Sequence, residues 1–223
     1  MSWGLSRSKM VMIDAADALP GRSVVVPVPE KHLVLGTPMV SPNGTCDWGP
    51  GYRAVVLGGG CFWGVEEICW QLPGVYTTAV GYAGGFTPNP TYEEVCTART
   101  GHTEAVLVVI DESQTDLETI LRTFFETHDP TQDMRQGNDI GTQYRSAVFT
   151  CSAADAQLAR DIAERYQSAL TAAGYGPIAT EIAELADVGD GRFYYAEDYH
   201  QQYLAKNPHG YRCHASTGVH FPQ

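Results

Sequence analysis

The chain has 223 residues, 14 of them Lys or Arg and 26 Asp or Glu, for a net charge of −12 with neutral histidines. That length suffices for one core with extensions or for two small domains, and the acidic balance argues against a nucleic-acid face or an anionic membrane as partner. No apolar run reaches the length of a membrane span, residues 1–21 lack the apolar stretch of a secretory signal, and the expected compartment is the cytoplasm.

Residues 1–50 mix short apolar runs with Pro and Gly ("VVVPVPEKHLVLGTPMVSPNG"). Prolines interrupt any strand ladder, so this segment reads as an extended arm lying over a core. "RAVVL" (53–57) is a short buried strand closed by Gly58-Gly59-Gly60. Cys61, Val65, Ile68, Cys69 and Leu72 then recur at helical spacing until Pro73-Gly74. Residues 75–82 alternate as a strand, 83–101 form a Gly/Pro/Thr loop, and 103–111 are a strand. Thr115-x-x-Glu118 is a capping-box signature, followed by Leu117, Ile120, Leu121, Phe124 and Phe125 on one helical face. Residues 128–143 are a polar loop whose length points to function. A strand (144–151), a helix capped by Ser152 and running to Gly174, a strand (177–185) and a helix (196–206) complete the pattern. Residues 53–151 thus read β-α-β-β-α-β, the split βαβ order of an α+β sheet with helices on one face. The expected organisation is an arm (1–50), a catalytic α+β domain (51–206) and a flexible, irregular tail (207–223).

The six cysteines, Cys46, Cys61, Cys69, Cys96, Cys151 and Cys213, include no Cys-x-x-Cys pair, and in a cytoplasmic chain they default to thiols. Cys213, His214 and His220 lack the second close pair of a zinc site, so no metal is expected. The most unusual stretch is "GGGCFWGVEE" (58–67). It is not a phosphate cradle: Trp63 stands where G-x-G-x-x-G needs its last small residue, and no Lys-Ser/Thr pair follows Gly64. Cys61 is expected in the first turn of a helix, where free N–H groups and the helix dipole favour a thiolate. A drop of about two units from an ordinary thiol pKa near 8.5 would leave it roughly three-quarters ionised at pH 7. It reads equally well as a core residue, and spacing leaves both open. Phe62 and Trp63 are either core rings or the walls of a cleft beside Cys61, a wall suited to a small apolar group on sulfur.

"GGGCFWGVEE" resembles the Gly-Cys-Phe-Trp-Gly signature of the A-class peptide methionine sulfoxide reductases, and the likeness continues through "QLPGVYTTAVGYAGGFTPNPTYEEV", "TGHTEAVLVV", "HDPTQDMRQGNDIGTQYRSAVF" and "FYYAEDYHQQYLAKNPHGY". The resemblance implies a modified ferredoxin-like two-layer sandwich and reduction of the S epimer of methionine sulfoxide, free or in proteins. It implies that Cys61 is the nucleophile, that Phe62 and Trp63 seat the substrate methyl group, and that Tyr92, Glu104 and Tyr144 surround the sulfoxide oxygen. Asp139 is then a nearby polar support and Tyr211 a further lining residue. The chemistry fits these types: a sulfoxide oxygen leaves only if it receives a proton, which a buried, protonated Glu104 can give as general acid.

A Cys61 sulfenic acid would follow, then a disulfide with a second thiol. Cys213 is the natural second thiol, in a tail with Gly210 and Gly218. Many family members carry a second tail cysteine; here there is only Cys213, and Arg212 separates it from Tyr211. The expectation is a single Cys61–Cys213 disulfide reduced directly by thioredoxin or another dithiol, in a monomer with no bound cofactor. Cys46 is a candidate extra relay, Cys69 is expected to be packed, and Cys96 and Cys151 are given no role. Two rival readings are a thiol peroxidase or redox sensor, which needs neither the rings nor the acid, and a module that binds methionine-bearing segments.

Overall fold

The computed structural model describes residues 9–213 and 215–222. Its elements, in chain order, begin with β1 (Tyr52–Gly58), α1 (Phe62–Trp70), β2 (Val75–Ala83), α2 (Tyr92–Val95) and β3 (Thr103–Asp111). They continue with α3 (Leu117–Thr127), β4 (Arg135–Gln136), β5 (Asp139–Ile140), β6 (Ala147–Thr150) and α4 (Ala153–Ala172), then β7 (Glu181–Glu184), β8 (Phe193–Tyr195) and α5 (Tyr203–Lys206). The main sheet has the order β7-β6-β1-β3-β2-β8. β3 lies between β1 and β2 and runs antiparallel to both, and β6 runs antiparallel to β1 on its other side. This is the split βαβ connection expected from the element order, in a mixed α+β fold. β7 extends the sheet by pairing parallel to β6.

Side chains alternate across the sheet, and both faces are covered. Val55 and Leu57 of β1 face a core completed by Phe62 and Cys69 of α1, Ile120 and Phe125 of α3, and Ile162 and Tyr166 of α4. Ala54 and Val56 face the opposite way, against Leu185 and Phe193, with Trp48, Tyr52 and Tyr76 packed on them. A sheet buried on two sides needs near-continuous apolar strands, which is why β1 and β3 stand out in the sequence. Truncating one core ring such as Phe125 would cost about 3–5 kcal/mol.

Local differences from the sequence reading have local causes. The N-cap of α3 is Asp116, which accepts from the Thr119 N–H at 2.8 Å, so the expected Thr115/Glu118 box does not form. The 83–101 loop contains α2, whose capping box is Thr91 with Glu94. The expected strand 144–151 begins only at Ala147, because Thr142–Tyr144 is a 3-10 turn. The expected 177–185 strand is reduced to β7. The expected helix 196–206 is broken: a 3-10 turn at Asp198–His200 and α5 are separated by Gln202 in the left-handed region, φ 47°.

The arm crosses the domain and is fastened along its length. The Leu19 N–H donates to the Arg99 carbonyl, Arg22 pairs with Glu94 at 2.7 Å, and the Thr37 hydroxyl donates to the Tyr76 carbonyl. Cys46 forms a disulfide with Cys151, just past β6. This corrects two readings: Cys46 and Cys151 are not thiols, and Cys46 is not free to relay a disulfide. Cys151 packs with the sheet face opposite Phe62. Among the described residues, no helix is long and apolar enough to cross a membrane.

Candidate active site

The chain leaves β1 through Gly60, which adopts φ +89°. A Cβ there would lie 2.6 Å from the Gln136 Cβ, so conformation and contact both require glycine. The turn sets Cys61 at the N-cap of α1 rather than in its first turn. Glu104 arrives from β3, directly across from Tyr82 of β2. The first N–H of α1, that of Phe62, donates to the Glu104 carboxylate at 3.0 Å.

This arrangement corrects the expected thiolate. Cys61 is buried, and burial followed by the Glu104 charge pushes its thiol well above the ordinary range; the Trp63 N–H opposes this without overcoming it. The helix end is present, but its leading donor serves Glu104. Burial pushes the Glu104 carboxyl up to about 8 against the Phe62 hydrogen bond, with Asp139 adding to the rise. At neutral pH the resting pair is therefore a thiol beside a largely protonated acid.

Cys61, Phe62, Trp63, Tyr92, Glu104, Asp139, Tyr144 and Tyr211 line one cavity of about 140 Å³. The structure thus brings together every expected site residue except Cys213. Tyr92 opens α2, and its N–H donates to the Glu197 carboxylate at 2.9 Å; the same carboxylate accepts from the Tyr82 hydroxyl. Tyr144 closes the 142–144 turn, which the buried Arg145 holds by donating to the carbonyls of Thr142 and Gly84 while pairing with Glu181. Burial, then the Glu104 charge, raises the hydroxyls of Tyr92 and Tyr144 above the usual tyrosine range, so both remain O–H donors. The Tyr211 hydroxyl donates to Asp139 Oδ2 at 3.1 Å.

Cys213 lies beside this cavity. Its Sγ contacts the Gln136 carbonyl at 3.5 Å, next to the Gly60 turn, and it is near enough to Cys61 to add to the rise of that thiol. Arg212 makes a bidentate pair with Glu67 of α1, at 2.6 and 2.7 Å. Further on, Phe221 is buried, stacked on Tyr166 at 5.0 Å, and the Arg122 guanidinium lies over its ring at 4.8 Å from the centroid. His214 lies outside the described residues. Cys69 is buried in the core.

Sequence reasoning missed the residues that hold Trp63. The indole N–H donates to His200 Nδ1 at 3.2 Å, and the Tyr203 ring stacks on the indole at 3.9 Å and 17°. Burial lowers His200 to about 4, so the imidazole is neutral and its Nδ1 can accept. The aromatic density of "FYYAEDYHQQYL" was the available signal. The assembled cavity offers a nucleophilic sulfur, a neutral acid, two hydroxyl donors and an aromatic wall. That set suits a substrate with a polar oxygen bonded to a soft, methyl-bearing atom.

A sequence profile described as peptide methionine sulfoxide reductase matches residues 53–221. The chain is similar to the peptide methionine sulfoxide reductase MsrA of Azotobacter vinelandii, 56% identical over 214 residues that cover 96% of this chain and 94% of that one. MsrA 1 of Synechocystis sp. is 54% identical over 214 residues, 96% and 92% of the two chains. The fold superposes on the structure of methionine sulfoxide reductase A of Corynebacterium diphtheriae with a TM-score of 0.84 at 48% identity, covering 96% of this chain and 100% of that one.

Proposed function

The chain belongs to the peptide methionine sulfoxide reductase family, and from that premise we propose how its cavity carries out the reduction of methionine sulfoxide. The substrate is the S epimer, free or within a protein. Phe62 and Trp63 seat the methyl group, and Tyr92 and Tyr144 donate to the sulfoxide oxygen as negative charge builds on it. Cys61 sulfur attacks the sulfoxide sulfur, and Glu104 gives a proton to the oxygen. The substrate S–O bond breaks and an S–O bond forms on Cys61, so methionine sulfur gains two electrons and Cys61 loses two. In net terms the thiol hydrogen ends on the sulfenic oxygen, and Glu104 recovers its proton. Asp139, with Tyr211 on it, supplies polar support at the mouth.

The Cys213 thiol then attacks the Cys61 sulfenic acid; the S–S bond forms and water leaves. A dithiol of the thioredoxin class supplies the two electrons that reopen it, with no bound cofactor. The enzyme works as a monomer in the cytoplasm, on a catalytic unit spanning residues 51–206, with the arm packed on it and a flexible tail, 207–223, carrying the resolving Cys213.

The observation that carries this reading is a buried carboxyl, raised to about 8, in the same cavity as Cys61. A thiol peroxidase or redox sensor would not need this acid together with the aromatic wall. The test is incubation with each epimer of a dabsylated methionine sulfoxide and dithiothreitol. The S epimer alone should turn over; equal turnover of both, or none with brisk peroxide consumption, overturns the proposal. Mass spectrometry after substrate without reductant should find a Cys61–Cys213 disulfide. Cys213→Ser should release about one methionine per enzyme and then stall with thioredoxin; sustained turnover would assign resolution to another thiol.

A further inference from the structure

One carboxylate of α1 is buried as completely as any group in the cavity, yet the reaction does not use it. Glu66 is 0% exposed. Its Oε2 accepts from the Gln202 backbone N–H at 2.9 Å, and its Oε1 accepts from Gln202 Nε2 at 2.8 Å and the Thr78 hydroxyl at 3.1 Å. Thr78 in turn accepts from His32 Nε2 at 2.9 Å. The tautomer is fixed, because His32 Nδ1 accepts from the N–H groups of Val34 and Leu35. Gln202 Oε1 closes the circuit by accepting from the Leu33 N–H at 3.2 Å. The result is a closed ring of hydrogen bonds through the arm, β2, α1 and the C-terminal segment. His32, Thr78, Glu66 and Gln202 are all buried, and every polar side-chain atom among them has a partner.

The ring holds one backbone position with particular force. Gln202 sits at φ 47°, ψ 43°, a conformation that side-chain-bearing residues adopt only when their surroundings impose it. Glu66 supplies that constraint through the Gln202 N–H. The reversal at Gln202 separates His200, which accepts from the Trp63 indole, from Tyr203, which stacks on it. Glu66 also lies three residues beyond Trp63 on α1, so one helix carries the indole and fixes the segment that grips it.

We infer that Glu66 is a positioning residue for Trp63, and that the His32–Thr78–Glu66–Gln202 ring sets how tightly the cavity discriminates methyl from larger groups on the sulfoxide sulfur. The inference rests on the proposed seating of the methyl group against Phe62 and Trp63. An extra methylene in an apolar pocket is discriminated by roughly 10- to 200-fold, so the readout is kcat/KM for methionine sulfoxide over that for ethionine sulfoxide.

Trp63→Ala should bring this ratio close to one; an unchanged ratio overturns the methyl seat and the inference with it. Given that control, Glu66→Gln places an amide N–H₂ against the Thr78 and Gln202 donors and should lower the ratio about 10-fold, with KM for methionine sulfoxide rising more than kcat falls. The exchange Glu66→Gln with Gln202→Glu swaps acid and amide across the 2.8 Å contact and should restore part of the ratio. If Glu66→Gln does not fold, Thr78→Val removes one donor and keeps the charge, and should lower the ratio about 3-fold. Folded Glu66→Gln, or Thr78→Val in its place, with a lower melting temperature but an unchanged ratio would reduce the ring to a structural tie and overturn the inference.

Discussion

The Phe62 N–H is directed at Glu104 and lies 3.0 Å from its carboxylate. The leading donor of α1 therefore faces the group proposed to lose a proton, and it meets the negative charge that appears once the proton has gone. The residue that begins the aromatic wall thus also steadies the acid, so wall and acid keep one spacing.

A pH dependence follows. Burial holds Glu104 protonated up to about 8, and the protonated form is the proposed donor. The reductase step, followed as single-turnover methionine release, should be level below neutral pH and fall as pH rises through about 8. Glu104→Gln should remove that limb and slow the step by roughly 10²–10⁴-fold, with a much smaller change in substrate affinity. A variant within about 3-fold of the parent rate would exclude Glu104 as the acid.

The same carboxyl should make the protein less stable at high pH. In the unfolded chain it loses its proton near 4.5, whereas the folded protein keeps it to about 8. Between those values the folded state holds the extra proton, so stability falls as pH rises. Glu66, raised by burial to about 7, acts in the same direction. Thermal melts of Glu104→Gln and its parent should agree near pH 4.5 and diverge toward pH 8.5, with the variant the more stable at the upper end. Parallel curves would mean that the acid is solvated.

The Cys46–Cys151 bond spans 105 residues of sequence. A loop of that length gives a chain-entropy stabilisation of up to about 4.7 kcal/mol. Cys46→Ser with Cys151→Ser should therefore unfold at clearly lower urea under oxidising conditions, while single-turnover methionine release stays unchanged. A loss of methionine release in the folded variant would bring this disulfide into the catalytic cycle.

Lys9 connects the segments that carry two of the cavity tyrosines, Tyr92 and Tyr144. Its carbonyl accepts from the Thr142 N–H at 2.8 Å, at the start of the turn that ends in Tyr144. Its ammonium donates to the Cys96 carbonyl at 2.9 Å, at the end of the helix that Tyr92 begins. Lys9→Met should lower kcat/KM for methionine sulfoxide by roughly 5-fold or more, the effect of losing one charged hydrogen bond, and Lys9→Arg should recover part of it. Unchanged kinetics in Lys9→Met would leave this end of the arm without a part in the site.

How far the sequence could be read depended on where the determining contacts lie. β3 was legible to the residue, since a doubly buried strand must be an unbroken apolar run. The pattern Thr-x-x-Glu occurs at Thr91, Thr115 and Thr123, and the capping box was expected at Thr115. Thr91 and Glu94 form the box, whereas Asp116 displaces Thr115 because its carboxylate reaches the Thr119 N–H. The break at Gln202 left no local trace, because the buried carboxylate that its backbone N–H meets lies 136 residues away. The pairing of Cys46 with Cys151 was hidden for the same reason. At Cys61 the local rule, a helix end that favours a thiolate, was sound but was outweighed by burial and a neighbouring carboxyl.

The two anchors of the tail have a kinetic meaning. Arg212 is clamped to Glu67, and Phe221 is seated on Tyr166, so Cys213 rides on a short span fixed at both ends. If it resolves Cys61 as proposed, it does so as a captive reagent whose effective concentration is set by that span and not by how dilute the protein is. Free thiols and peroxide must then compete with an intramolecular step. An oxidised Cys61 would close onto its partner before a second oxidant molecule reached it, and the enzyme would be spared irreversible oxidation by the damage it repairs.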